Sequence, residues 1–195
     1  MATFQVAGAG SSPAARSTAK AVIEAEHYLH SFPTGWTQSY QVGDVWIVFA
    51  IPANKNLEPF LFKGPVGLRE LSRLWAPDNH APNALSAALA RAIRSLRRDV
   101  PACEALVSFA DPNVGHLGGV YRAASWLYTG QSHERRRYAT PDGRIVARRA
   151  FHSGAQSMRP TLPMTKVAGK HRFVRLLTRR ATRLFKGVTP MSKNV

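Results

Sequence analysis

Apolar and polar positions along this chain follow two periods, and the changes between them mark out the elements. Apolar residues cluster over Val42–Ile51, with a Gly43-Asp44 pair at the start that reads as a hairpin turn leading into a strand. The burst Glu58–Phe62 reads as a second antiparallel strand. Leu68–Trp75 fits strand or helix by pattern, and the Pro- and Asn-rich loop of residues 76–83 that follows it favours strand. Next, Leu85, Ala88, Leu89, Ala92, Ile93 and Leu96 recur at three- and four-residue steps, which predicts an amphipathic helix. Residues 105–110 form an apolar run that stops at Asp111-Pro112, before a corner containing Gly115, Gly118 and Gly119 and a helix starting near Gly115. The strands at 68 and 105 are therefore expected to be neighbours, joined by the helix as a crossover.

The remaining segments are weaker. Ala21, Val22, Ile23 and Ala25 support a short helix over Thr18–Tyr28, after a lead-in of residues 1–17. Asp142-Gly143 lies between His133–Tyr138 and Arg144–Phe151, a strong hairpin signal. Residues 153–170 read as a polar loop, Lys170–Leu177 as strand or helix, and 186–195 as a frayed end. The expectation is one α/β domain over residues 18–185 with a mixed, mostly antiparallel sheet flanked by helices.

Charge changes this picture. The 195 residues carry 27 Lys and Arg against 11 Asp and Glu, and thirteen of the basic residues follow Asp142, after which no acidic residue occurs. A polycation suits phosphate contacts, but a basic surface also suits an anionic membrane or a structured RNA, so charge names a class of partner and no more. Arg135, Arg137, Arg148, Lys170, Arg172, Arg179 and Arg180 are the candidate DNA contacts. The single cysteine, Cys103, excludes an internal disulfide, and no apolar segment reaches membrane-spanning length. A soluble protein of the cytoplasm, associated with DNA, is expected, with the oligomeric state open and a homodimer among the options.

Candidate chemistry gathers at two places. Asp111 ends a strand, where a carboxylate faces the ligand crevice of an open α/β sheet, although Asp-Pro before glycines is also an ordinary loop signature. His27, Tyr28 and His30 sit together before a Pro-x-Gly turn, and His27 and His30 are spaced to share a metal ion. Asn83 is a candidate helix cap whose neighbouring amides could cradle a phosphate.

The stretches EHYLHSFPTGW (26–36), ELSRLW (70–75), SFADPNVGHLGGVYRAASWLYTG (108–130) and KHRFVRLL (170–177) resemble the Mom family of bacteriophage DNA modification proteins. The resemblance implies a GNAT-like fold and conversion of adenine in phage DNA to N6-(carbamoylmethyl)adenine, which protects the DNA from host restriction endonucleases, and so makes double-stranded DNA the expected partner. It places His27, Tyr28, Asp111 and Tyr121 in catalysis, and Arg73, Asn83, Ser108 and Gly118 in substrate or cofactor binding. Acetyl-CoA or another small-group donor is implied, and iron with it, yet residues 77–83 replace the usual acyltransferase phosphate loop. A CoA-dependent N-acyltransferase acting on a non-DNA amine, and a non-catalytic basic module that binds nucleic acid, are the alternatives.

Overall fold

The computed structural model describes residues 13–139, 145–146 and 162–187. A six-stranded sheet forms the body. Its strands are β1 (Trp36–Val42), β2 (Val45–Ala50), β3 (Arg69–Trp75), β4 (Ala105–Ala110), β5 (Leu127–Gln131) and, later in the chain, β9 (His171–Leu176). They lie in the order β1-β2-β3-β4-β9-β5. β3 and β4 run parallel, as neighbours, and every other pair in this sheet is antiparallel.

Alternation along β4 divides the core. Leu106 and Ala110 face the helix α3 (Ala84–Asp99), where Leu89 and Leu96 meet Phe49, Leu71 and Phe173. Ala105 and Val107 face the opposite side, packing with Leu57 and Leu61 of α2 (Leu57–Leu61) and Ala181 of α5 (Arg179–Leu184). A third cluster joins Ala19 and Ile23 of α1 (Pro13–Glu26) to Trp46 and Val48.

Several sequence expectations are corrected. Glu58–Phe62 is not a strand: the segment is the short helix α2, and β1 takes its place beside β2. Pro59 cannot donate to a strand ladder, and the Glu58 carboxylate instead accepts the backbone N–H groups of Val66 and Leu68 at 2.8 and 3.1 Å. The first helix begins at Pro13, inside the expected lead-in. The corner after β4 makes a 3-10 turn at Pro112–Val114 before the five-residue α4 (Gly119–Ala123). Residues 153–170 are not loop throughout, since β8 (Met164–Val167) pairs with β6 (Arg135–Ala139). Together with β7 (Ile145–Val146) these form a separate three-stranded ribbon. The Asp142-Gly143 turn, most of its second arm and both chain ends lie outside the described residues.

The feature that positions the site is a fork. β3 and β4 pair only through Arg69, Glu70 and Leu71, matched with Leu106, Val107 and Ser108. Beyond Leu71, β3 stays with β2 through a bulge at Ser72, while β4 stays with β9 to its end. The two parallel strands therefore part company towards their carboxyl ends. In consequence the bulge turns Arg73, opposite Val48, to the α1 side of the sheet.

Candidate active site

At the base of the fork Leu71 is the last residue of β3 paired with β4, and its partner there is Ser108. The Ser108 hydroxyl reaches the Leu71 carbonyl at 2.8 Å, and Ser108 Oγ also lies 2.8 Å from the Tyr121 hydroxyl. Ser108 has one proton, and a carbonyl can only accept, so Ser108 donates to Leu71 and accepts from Tyr121. Tyr121 is buried against Trp126 and Phe173, and burial pushes its phenol up to about 12. It is a protonated group at the floor of the site.

Asp111 stands one residue past β4. Continuing the β4–β9 register beyond Ala110↔His171 sets it across from Lys170, and the two form an ion pair at 2.8 Å. Asn113 adds two hydrogen bonds to the same carboxylate, from its backbone N–H at 3.1 Å and its side-chain amide at 2.8 Å. Partial burial raises the Asp111 pKa, but the bonds from Lys170 and Asn113 outweigh it and the net shift is downward. Asp111 is thus an ionised hydrogen-bond acceptor.

Over the mouth lies the segment that follows α1. Arg73 holds it, donating through Nε to the Ser31 carbonyl at 2.9 Å and through Nη2 to Ser31 Oγ at 3.2 Å. His27 stacks on Tyr28 with centroids 4.5 Å apart, and His116 meets Tyr28 edge-on at 5.0 Å. Burial, reinforced by the positive charge of Arg73 and the nearby His116, His30 and Lys170, lowers His27 to about 4. The imidazole is neutral near pH 7. Its Nδ1 accepts the Leu29 N–H at 3.1 Å, which leaves the proton on Nε2 and makes that nitrogen a donor. Burial, then the Asp111 charge, raises the Tyr28 phenol against the opposing pull of Arg73.

His27, Tyr28, Arg73, Asp111 and Tyr121 come from separate parts of the chain and share one electrostatic neighbourhood. A model of the Mom protein family matches residues 11–193. The chain belongs to the Mom protein family. A curated relative, "Methylcarbamoylase mom" of Escherichia phage Mu, is 29% identical over 195 residues, covering 90% of this chain and 80% of the relative. Among solved structures, the aminoglycoside acetyltransferase AAC(6')-Ib with coenzyme A is 14% identical at a TM-score of 0.43, over 76% of this chain and 69% of that one. Arabidopsis thaliana NAA60 with acetyl-CoA is 9% identical at a TM-score of 0.47, over 86% and 96%. Likeness at that level says nothing of cofactor or substrate.

Other expected site residues fall elsewhere. Gly118 buries its Cα against the Phe173 ring at φ 81° and shapes the corner. Asn83 does not cap α3: it sits at φ 63° with no side-chain capping bond. The Ala84 N–H is taken by the Ala81 carbonyl at 3.1 Å, and the loop before it carries Asp78 and no Lys or Arg. These residues do not build a cradle for a CoA pyrophosphate. Nor do His27 and His30 converge on a metal, since His30 Nδ1 turns to the Glu24 carbonyl at 3.1 Å. Among the described residues no group of three His, Cys, Asp or Glu side chains is arranged to hold a metal ion, so an iron does not fit.

The basic candidates divide sharply. Arg135 is exposed and Arg137 half-buried on β6, whereas Arg148 lies outside the described residues. Arg172 is turned inward, donating to Thr129 Oγ1 at 2.8 Å and the Thr129 carbonyl at 2.7 Å, with Phe60 4.7 Å below its guanidinium. It fastens β9 to β5 and α2 rather than facing a phosphate. Arg180 pairs with Glu104. Arg179 is exposed beside it.

Sequence reasoning missed His116, Asn113 and the pairing role of Lys170. His116 did carry a signal: it is a titratable side chain inside the glycine corner, five residues after Asp111.

Proposed function

We propose that this chain is a DNA-modifying transferase that converts adenine in duplex DNA to N6-(carbamoylmethyl)adenine, the outcome being protection of phage DNA from restriction endonucleases. The observation that carries the reading is the convergence, in a Mom family chain, of an ionised Asp111 with a neutral His27, Tyr28 and Arg73 at the open end of the β3–β4 fork.

The lone pair of the adenine N6 amine is delocalised into the ring, so its proton must leave as the new N–C bond forms. Asp111, with Lys170 and Asn113 fixing its oxygens, accepts that hydrogen bond and orients the amine. His27 Nε2–H and Tyr28 present donors to the base or to an oxygen gaining charge, and the Arg73 guanidinium adds a fixed positive field. Tyr121, its proton given to Ser108, stays neutral beneath the site and can only accept a hydrogen bond there. The co-substrate is a small-group donor carrying the carbamoylmethyl group on a leaving group: the N6–CH2 bond forms as the bond from that methylene carbon to the leaving group breaks, the leaving group departs with the electron pair, and the N6 proton passes by way of Asp111 to solvent.

DNA from cells expressing the protein, digested to nucleosides and weighed by mass spectrometry, tests the reading. A deoxyadenosine heavier by one carbamoylmethyl group is expected, and it is expected to vanish with Asp111→Asn, which keeps shape and removes the acceptor charge. Unmodified adenine from wild-type cells, or full modification by Asp111→Asn, would reject the function or the role of Asp111 respectively.

A further inference from the structure

Next to the site a braced corner holds apolar side chains out in water. Leu117 is 60% exposed, the highest value for any large apolar side chain among the described residues, and Val114 is 48% exposed. The backbone beneath them is held from several directions. The Asp111 carbonyl accepts the N–H groups of Val114 and His116 at 3.2 and 3.0 Å, and Arg122 Nη1 donates to the Leu117 carbonyl at 2.6 Å. Asn113 exchanges two hydrogen bonds of 3.1 Å with the Ala168 backbone, and Gly118 locks onto the Phe173 ring. Leu117 follows His116, whose ring touches Tyr28, so its position relative to the reacting groups is fixed.

We propose that Leu117, on the same corner as the exposed Val114, is the wedge that enters the duplex where the target adenine leaves the stack. This rests on the reading of the protein as a DNA adenine modifier. The N6 amine of a stacked, paired adenine cannot reach Asp111 at the fork mouth, so the base must turn out of the helix. The gap left behind is apolar and flat, and an apolar side chain on a rigid support fills it and keeps the base from returning. Leu117 acts on the base step and is a positioning residue.

The test uses the full chain and a duplex in which 2-aminopurine, whose fluorescence rises on unstacking, replaces the target adenine, opposite either thymine or an abasic site. Opposite thymine, the wild-type protein is expected to raise the fluorescence and Leu117→Ala to reduce the opening equilibrium by about tenfold, with Leu117→Met restoring most of it. Opposite the abasic site, where the base is already loosened, Leu117→Ala and wild type are expected to match. Equal fluorescence from Leu117→Ala and wild type opposite thymine overturns the wedge. An equal loss on both duplexes overturns it too, because that marks a binding or folding defect. Nucleoside masses from cells expressing the wild type judge the underlying function separately. If no modified adenine is found there, the functional reading falls, whatever the fluorescence does.

Discussion

His27 makes the stability of this protein depend on pH in a way that can be isolated. The imidazole is 5% exposed, and its pKa falls from 6.5 to about 4 on folding, chiefly because burial disfavours the cation and secondarily because Arg73 is near. A folded pKa below the unfolded value means that, between the two, the unfolded chain binds a proton the folded chain refuses. Stability from this group is therefore complete above pH 6.5 and is lost as pH falls towards 4. The full difference is about 3 kcal/mol, and roughly 2 kcal/mol of it has gone by pH 5. Carboxylates titrate over part of the same range, so the measurement is a difference: urea unfolding of wild type and His27→Gln from pH 8 to pH 5. His27→Gln is expected to be less stable at pH 8 and to lose less stability on acidification, so that the two curves converge. Curves that stay parallel across that range would show that His27 is accessible to protons in the folded state, and the neutral donor role would fall with it.

Arg172→Met is expected to cost about 2 kcal/mol, because the Thr129 carbonyl and hydroxyl lose their buried partner, while leaving DNA affinity unchanged. Weakened DNA binding at unchanged stability would contradict the inward placement. Gly118→Ala is expected to destabilise by about 3 kcal/mol, since a methyl would overlap the Phe173 ring at a backbone φ of 81°; a thermal unfolding midpoint equal to wild type would refute this. For DNA binding, replacing Arg135, Arg136 and Lys166 by Ala is expected to lower the slope of log affinity against log salt by about one for each phosphate no longer neutralised, and Arg179→Ala with Arg180→Ala to change it less. Salt-titrated binding curves with the reverse ranking would move the DNA to α5.

Long, strongly periodic segments were legible in the sequence. The crossover from β3 through α3 to β4 followed from two changes of period, and Asp111 at the end of β4 followed from where the apolar run stops. Short segments were not. Five residues at Leu57–Leu61 do not distinguish a helix from a strand, and Pro59 was the available warning. β8 lies in polar sequence because it belongs to a ribbon outside the main core, where no buried face imposes alternation. The role of Lys170 depends on the register of β9 with β4, and that of Arg172 on a contact with β5 across 43 residues of chain, neither of which local pattern can reveal. Period two did hold a clue: Arg172 shares a face with Val174, which is fully buried.

That register also divides the basic residues by place. β4 has six residues and so is about 20 Å long; Glu104, which holds Arg180, stands at one end and Asp111 at the other. The ribbon starts at the Asp111 end, where the Ser132 N–H meets the Lys170 carbonyl at 2.9 Å and Asn113 meets Ala168. On it Arg136 lies directly opposite Lys166, and both are exposed. Like charges paired across strands repel one another, and a phosphate between them relieves the repulsion. The cations near the fork thus have two tasks: Lys170 and Arg73 set the field on the reacting groups, and the ribbon faces solvent where a phosphate backbone can reach it. Net charge alone pointed to the C-terminal segment as a whole, but the fold commits Arg172 to the body and Arg180 to Glu104, so on the proposed function the ribbon cations beside the fork are the expected DNA contacts.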